Sequence, residues 1–202
     1  MTSRSAFDYA TPYDIMVGYW VGTGNIYGPK GLYVMSTKMH VGIYWKTPYT
    51  KLHFREAAED FDEFQGSAGD YLDSRRTQMG EIERVLGATG LAAIRGLRAL
   101  HYDITVEGQH CYTDQNGSIS LSGMQTRPDV YQHHVKKREE DGTYHHMYES
   151  HYFASPHDWQ VTSPIVGPDG EVGVAVVLNF RRISFDVPRA FIRALPLSGS
   201  QH

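Results

Sequence analysis

From Leu32 to Trp45 the sequence changes character at every second residue. Tyr33, Met35, Thr37, Met39, Val41, Ile43 and Trp45 fall on one side of an extended chain, and Leu32, Val34, Ser36, Lys38, His40, Gly42 and Tyr44 on the other. A period of two held over this length does not fit a helix, whose faces repeat every 3.6 residues. It is one bent strand or two strands of a meander. Similar runs cover Tyr19–Tyr27, Thr50–Arg55, His101–Tyr112, Ser118–Thr126, Asp129–Arg138, Thr143–Phe153, Trp159–Val166 and Glu171–Ile183. Turn sequences separate them: Gly28-Pro29-Lys30-Gly31, Asp114-Gln115-Asn116-Gly117, Asp141-Gly142 and Gly167-Pro168-Asp169-Gly170. Fourteen Tyr and twenty Gly suit short strands joined by turns. The expected fold class is mostly β: an antiparallel up-and-down β-barrel of about eight to ten strands, closed so that no sheet edge is left exposed.

One stretch breaks the pattern. From Glu56 to Asp73 the chain is acidic and reads as a solvated loop or helix face. Met79, Ile82, Val85, Leu86, Leu91, Ile94, Leu97 and Leu100 then recur at three and four. This predicts a helical insert over 74–100, with two short helices over about 76–86 and 90–99, placed to cap the barrel mouth. The tail over 187–202 contains an amphipathic Ala190–Leu195, expected to form a short helix on the barrel or on a partner. The 202 residues are read as a single domain over 1–202.

Thr11 and Pro12 resemble a helix N-cap and a first-turn proline, so a short helical turn is expected to run into a strand beginning near Trp20. The segment reads Tyr13-Asp-Ile-Met-Val-Gly-Tyr-Trp-Val-Gly-Thr-Gly24. A Gly-x-Trp after such a turn, with Arg181-Arg182 ending the last strand, resembles the lipocalin and fatty-acid-binding members of the calycin superfamily. The resemblance implies that Trp20 plugs the closed end of the barrel and that Arg181 or Arg182 lies over its ring. A helical insert in mid-chain departs from the lipocalins, whose main helix comes late. The Trp20-Val-Gly-Thr-Gly run and the Tyr27-Gly-Pro turn also look somewhat like nitrobindin-type calycins, which hold haem by one His, but no proximal His can be matched to a position here.

The chemistry-bearing residues crowd into one hairpin. His133, His134, His145, His146 and His151 lie within 19 residues. A two-residue turn at Asp141-Gly142 would set His134 opposite Glu149 and gather Tyr131, His133, Val135, Lys137, Tyr144, His146, Tyr148, Ser150 and Tyr152 on one aromatic face. That face is expected inside. There His146 and His133 would act as acid or base and the Tyr148 hydroxyl would hold an enolate oxygen. His110, Tyr131, Tyr152, Trp45 and Met39 are expected to line the ligand cavity. The opposite face carries His134, His145, Glu149 and His151, a donor set for a metal, but also Lys136 and Arg138, which repel a cation. Cys111 has no local signature of a nucleophile and reads as structural.

The function expected from this is a small-molecule enzyme: cofactor-free isomerisation, cyclisation, elimination or decarboxylation of an apolar or aromatic carbonyl compound. The alternatives are a non-catalytic ligand-binding barrel and a haem- or metal-binding barrel. No cofactor and no metal are assigned. A net charge of −4 gives no electrostatic case for nucleic acid or an anionic membrane, and no window approaches the roughly 18 apolar residues of a membrane span. One cysteine excludes an internal disulfide and favours a reducing compartment. A cytoplasmic protein with a small-molecule ligand is the expectation, and a homodimer is left open.

Overall fold

In the computed structural model, which describes residues 9–58, 99–113, 118–138 and 142–193, the period-two segments become ten strands. They are β1 (Gly18–Tyr27), β2 (Tyr33–Thr47), β3 (Lys51–Ala58), β4 (Ala99–Glu107), β5 (His110–Tyr112), β6 (Ile119–Arg127), β7 (Val130–Arg138), β8 (Tyr144–Ser155), β9 (Asp158–Val166) and β10 (Val172–Ser184). Each pairs antiparallel with its neighbours in sequence, and β1 pairs with β10 to close the barrel. Thr37, Met39, Val41 and Ile43 of β2 point inward, as do Val174, Val176, Leu178 and Phe180 of β10. The core is therefore the barrel lumen.

The fold class needs correction at the mid-chain insert. The one α-helix among the described residues is the short α1 (Arg189–Arg193). Ala99 and Leu100, expected at the end of the insert, instead open β4 and pair with Ala57 and Glu56 of β3. Ladder pairing to a neighbouring strand overrides the local three-and-four spacing there. Residues 74–98 lie outside the described residues. Phe191 of α1 packs over Gly42 on the outer wall, where a Cβ would come within 3.0 Å of its ring.

A second correction concerns the run through His101–Tyr112, read as one strand. Gly108 has φ +62° and turns the chain, so that Glu107 pairs with His110. The turn reverses the phase of the alternation. Ile104 and Val106 of β4 face inward, Cys111 of β5 faces inward, and His110 and Tyr112 face out.

One end of the barrel is sealed by the 3-10 turn Pro12–Met16 and the first strand. Trp20 is fully buried, its Nε1 donates to the Met16 carbonyl at 2.8 Å, and its ring meets Phe153 and Trp159 edge-on. The Arg182 guanidinium lies 4.3 Å from the Trp20 ring centroid and donates to the Ile15 carbonyl. Of the two candidates, Arg182 is the stacking residue and Arg181 is exposed. Tyr13 and Tyr131 complete the seal, with the Tyr131 hydroxyl donating to the Pro12 carbonyl.

Candidate functional site

The inner wall built by β7 and β8 carries the site. Tyr131, His133 and Val135 of β7 point inward, as the alternation requires. On β8 the inward residues are His145, Met147, Glu149, His151 and Phe153. His134 pairs with Tyr148, and His133 with Glu149, one residue away from the expected register. The residues that share a face within each strand are those anticipated, but the coupling between the two strands is reversed.

The physical reason lies in the side chains of β8. Tyr144, Tyr148 and Tyr152 are large, but each carries a hydroxyl that water can satisfy. Met147 and Phe153 have no such handle, and they take the interior. The expected interior placement of His146, Tyr148 and Tyr152 is thus corrected. All three lie on the outer wall, where His134 Nε2 and His146 Nδ1 are 2.9 Å apart and the Tyr148 ring stacks on His134. Tyr148 is 49 % exposed. His110 also faces out. Met39 is buried in the lumen. Trp45 is half-buried and donates to Asp14 at 2.8 Å, beside the sealed end. Tyr131 is buried in the seal itself.

What comes together inside is His133, Glu149 and His151. His133 and Glu149 are direct cross-strand partners, and His151 is two residues further along the same face of β8. Glu149 Oε2 is 3.1 Å from His151 Nε2 and 3.9 Å from His133 Nδ1. One ligand atom from each of the three lies within 4.8 Å of the others. Donors on a tetrahedral ion with bonds of about 2.1 Å sit about 3.4 Å apart, between the two observed separations. Both imidazoles are buried. Burial, with the neighbouring His151, holds His133 well below the usual imidazole range, so the ring is neutral and both nitrogens are uncharged. His151 Nδ1 has no hydrogen-bond partner among the described residues.

The far side of His133 is shaped by the next two strands. Cys111, Gly123 and His133 form one row across β5, β6 and β7. Because Gly123 has no side chain, the imidazole lies across β6 and brings Nε2 to 3.6 Å from Cys111 Sγ. A Cβ at Gly123 would sit 2.2 Å from His133 Cδ2. Burial pushes the Cys111 thiol up to about 11, so it stays protonated. The isolated Gly123 in an otherwise alternating strand was the sequence signal of this close approach.

Sequence reasoning missed Glu56. Counted with the acidic stretch, it is instead the inward continuation of Leu52 and Phe54 on β3. Its Oε1 is buried without a partner among the described residues. Burial, reinforced by Glu149, pushes its carboxyl up to about 8. A folded-state value above the reference of 4.5 means that the unfolded chain releases the proton first as pH rises. In chelator-treated protein, stability is therefore expected to fall from about pH 4.5 to about pH 8, by up to about 1.4 kcal/mol per unit. Glu56→Gln should flatten that window and be the more stable protein at pH 8. Urea melts across the range check this; parallel profiles for the two proteins would contradict it.

Between this wall and the one opposite lies a largely enclosed cavity, bounded by Leu52, Phe54, Tyr102 and Ile104, with Trp159 and Met16 beneath. The space open to the centre of a water molecule is about 20 Å³, room for one or two waters.

No protein-family model matches the chain, and no curated protein matches it in sequence. Its fold is similar to that of a protein of unknown function from the DUF3598 family of Nostoc punctiforme PCC 73102, with a TM-score of 0.58 and 9 % identity over 91 % of this chain. The match covers 53 % of that protein, so this chain spans about half its length. It is also similar to an S-type phycobiliprotein lyase from Guillardia theta, with a TM-score of 0.50 and 9 % identity over 87 % of this chain and 91 % of that one. At such identities the likeness concerns the fold alone, a closed antiparallel β-barrel.

Proposed function

We propose that this protein is a metal-binding barrel in which His133, Glu149 and His151 hold one divalent transition-metal ion facing the internal cavity. The observation that carries the reading is the convergence of two buried imidazoles and one carboxylate on a single point of the inner wall. Two further features support it. Glu56 and Glu149 place two carboxyl groups near one another in the lumen, and a cation would offset the cost of ionising both. The neutral His133 imidazole need lose no proton before it ligates. Lys136 and Arg138, which counted against a metal on the opposite face of β7, lie away from this site, Lys136 over the Tyr144 ring outside.

Acid–base catalysis without a metal is the second reading, supported by the 3.1 Å contact of His151 with Glu149 beside a neutral His133. The related lyase fold is compatible with either.

Titration of chelator-stripped protein with zinc, cobalt or ferrous ions, followed calorimetrically, separates them. One ion per chain is expected, with at least a hundredfold loss of affinity in His151→Ala and Glu149→Gln, and none in His146→Ala. At a hundredfold excess over Kd the bound ion should add about 2.7 kcal/mol to stability. Circular dichroism would check that the variants fold. Wild-type protein that takes up no ion, or His151→Ala that binds as tightly, would sink the metal reading.

A further inference from the structure

We propose that the ion is ferrous iron and that its open face takes up a neutral diatomic ligand of the dioxygen class. This rests on the metal reading above and adds to it the identity of the ion and of what it binds.

The first argument is the side from which the donors come. His133 lies on β7, Glu149 and His151 on β8, so all three project from one wall of the barrel. Three ligands from one wall occupy one face of an ion. The positions on its other face point across the lumen, toward Phe54, Leu52 and Ile104. Two imidazoles and one carboxylate with open positions opposite them make the donor set that suits non-haem ferrous iron.

The second argument is volume. Some 20 Å³ open to the centre of a water molecule takes one or two water-sized molecules and no organic substrate. A ligand that reaches the ion here has two or three heavy atoms.

The third is the lining. A trapped water needs two to four polar partners. Opposite the donors the walls are Leu52, Phe54, Ile104 and Ile43, and beyond the three ligands the lining residues add only the Tyr102 hydroxyl and the Trp159 indole N–H. Such a surface penalises an anion, which would lose most of its hydration with few donors to replace it. It accepts an uncharged, weakly hydrated diatomic molecule. The ligand binds without any net redox step being required of the protein.

Nitric oxide is the probe, because its adduct with ferrous non-haem iron has half-integer spin and is visible by electron paramagnetic resonance, whereas ferrous iron alone is silent. Chelator-stripped protein is loaded anaerobically with ferrous iron, freed of excess, assayed for bound iron and exposed to nitric oxide. One iron per chain and one adduct per iron are expected. His151→Ala should lose both. Ile104→Phe, which fills the cavity, should keep the iron and lose at least nine-tenths of the adduct signal; Leu52→Phe serves the same purpose if Ile104→Phe fails to fold. Iron bound without an adduct overturns this inference and leaves the metal reading intact. Zinc or cobalt bound with no uptake of iron overturns it likewise. An adduct of full strength in His151→Ala places the iron elsewhere, for instance on the outer His134 and His146, and also overturns it. Failure of every ion to bind removes the metal reading itself.

Discussion

Trp20→Ala is expected to lower the free energy of unfolding by about 4 kcal/mol, a large part of the roughly 5–15 kcal/mol that holds a domain together. The ring is fully buried and packs against Phe153, Trp159 and the Arg182 guanidinium. Truncation removes that packing and leaves a void that rigid strands cannot close. It also orphans the Met16 carbonyl, which accepts from Nε1 at 2.8 Å, and strips Arg182 of one of the two aromatic faces that help offset its burial. Trp20→Phe retains most of the packing and should cost only about 1–2 kcal/mol. Urea denaturation of the three proteins measures both steps. A loss below about 1 kcal/mol in Trp20→Ala would mean that this plug does not hold the closed end.

Gly123→Ala is the second change of large effect, because it strikes fold and site together. The added methyl would lie 2.2 Å from His133 Cδ2, and 3.0 Å from both Cys111 Sγ and the Gln132 carbonyl. The imidazole must leave the surface of β6, since backbone on the other side cannot give. Overpacking of this kind costs about 1–3 kcal/mol. Moving His133 also moves its Nδ1 away from Glu149, so metal affinity should drop by about 10- to 100-fold, as when a supporting group of a metal site is lost. The diagnostic experiment is a double-mutant cycle. If the clash is with the imidazole, His133→Ala should be better tolerated in the Gly123→Ala background than in the wild-type protein, with a coupling of about 1 kcal/mol or more. Additive effects would show that the strain lies with the backbone, and unchanged metal affinity that His133 had not been displaced.

These two substitutions mark what was legible in the chain and what was not. Trp20 and its arginine partner were legible because the first and the last strand each carry a recognisable residue pattern. Glu149, His151 and His133 were each singled out by residue type, but on opposite sides of the wall. Counting tyrosines as apolar turned β8 inside out. Glu56 was hidden because an acidic residue beside other acidic residues looks solvated, although the spacing of Leu52, Phe54 and Glu56 already put it on the inner face.

By itself the sequence determined the alternation within each strand, because side chains two apart along an extended chain point the same way whatever surrounds them. With the turn signals, that was enough for an antiparallel meander closing into a barrel. It could not determine the phase between neighbouring strands. A shift of one residue exchanges the whole inner set of a strand for the outer one, and the choice rests on which set loses more by facing water. Met147 and Phe153 against Tyr148 and Tyr152 decided it for β8, and Gly108 reversed it between β4 and β5. The three-donor site is a product of those two decisions: β8 turned Glu149 and His151 inward to meet His133, and β5 brought Cys111 in behind it.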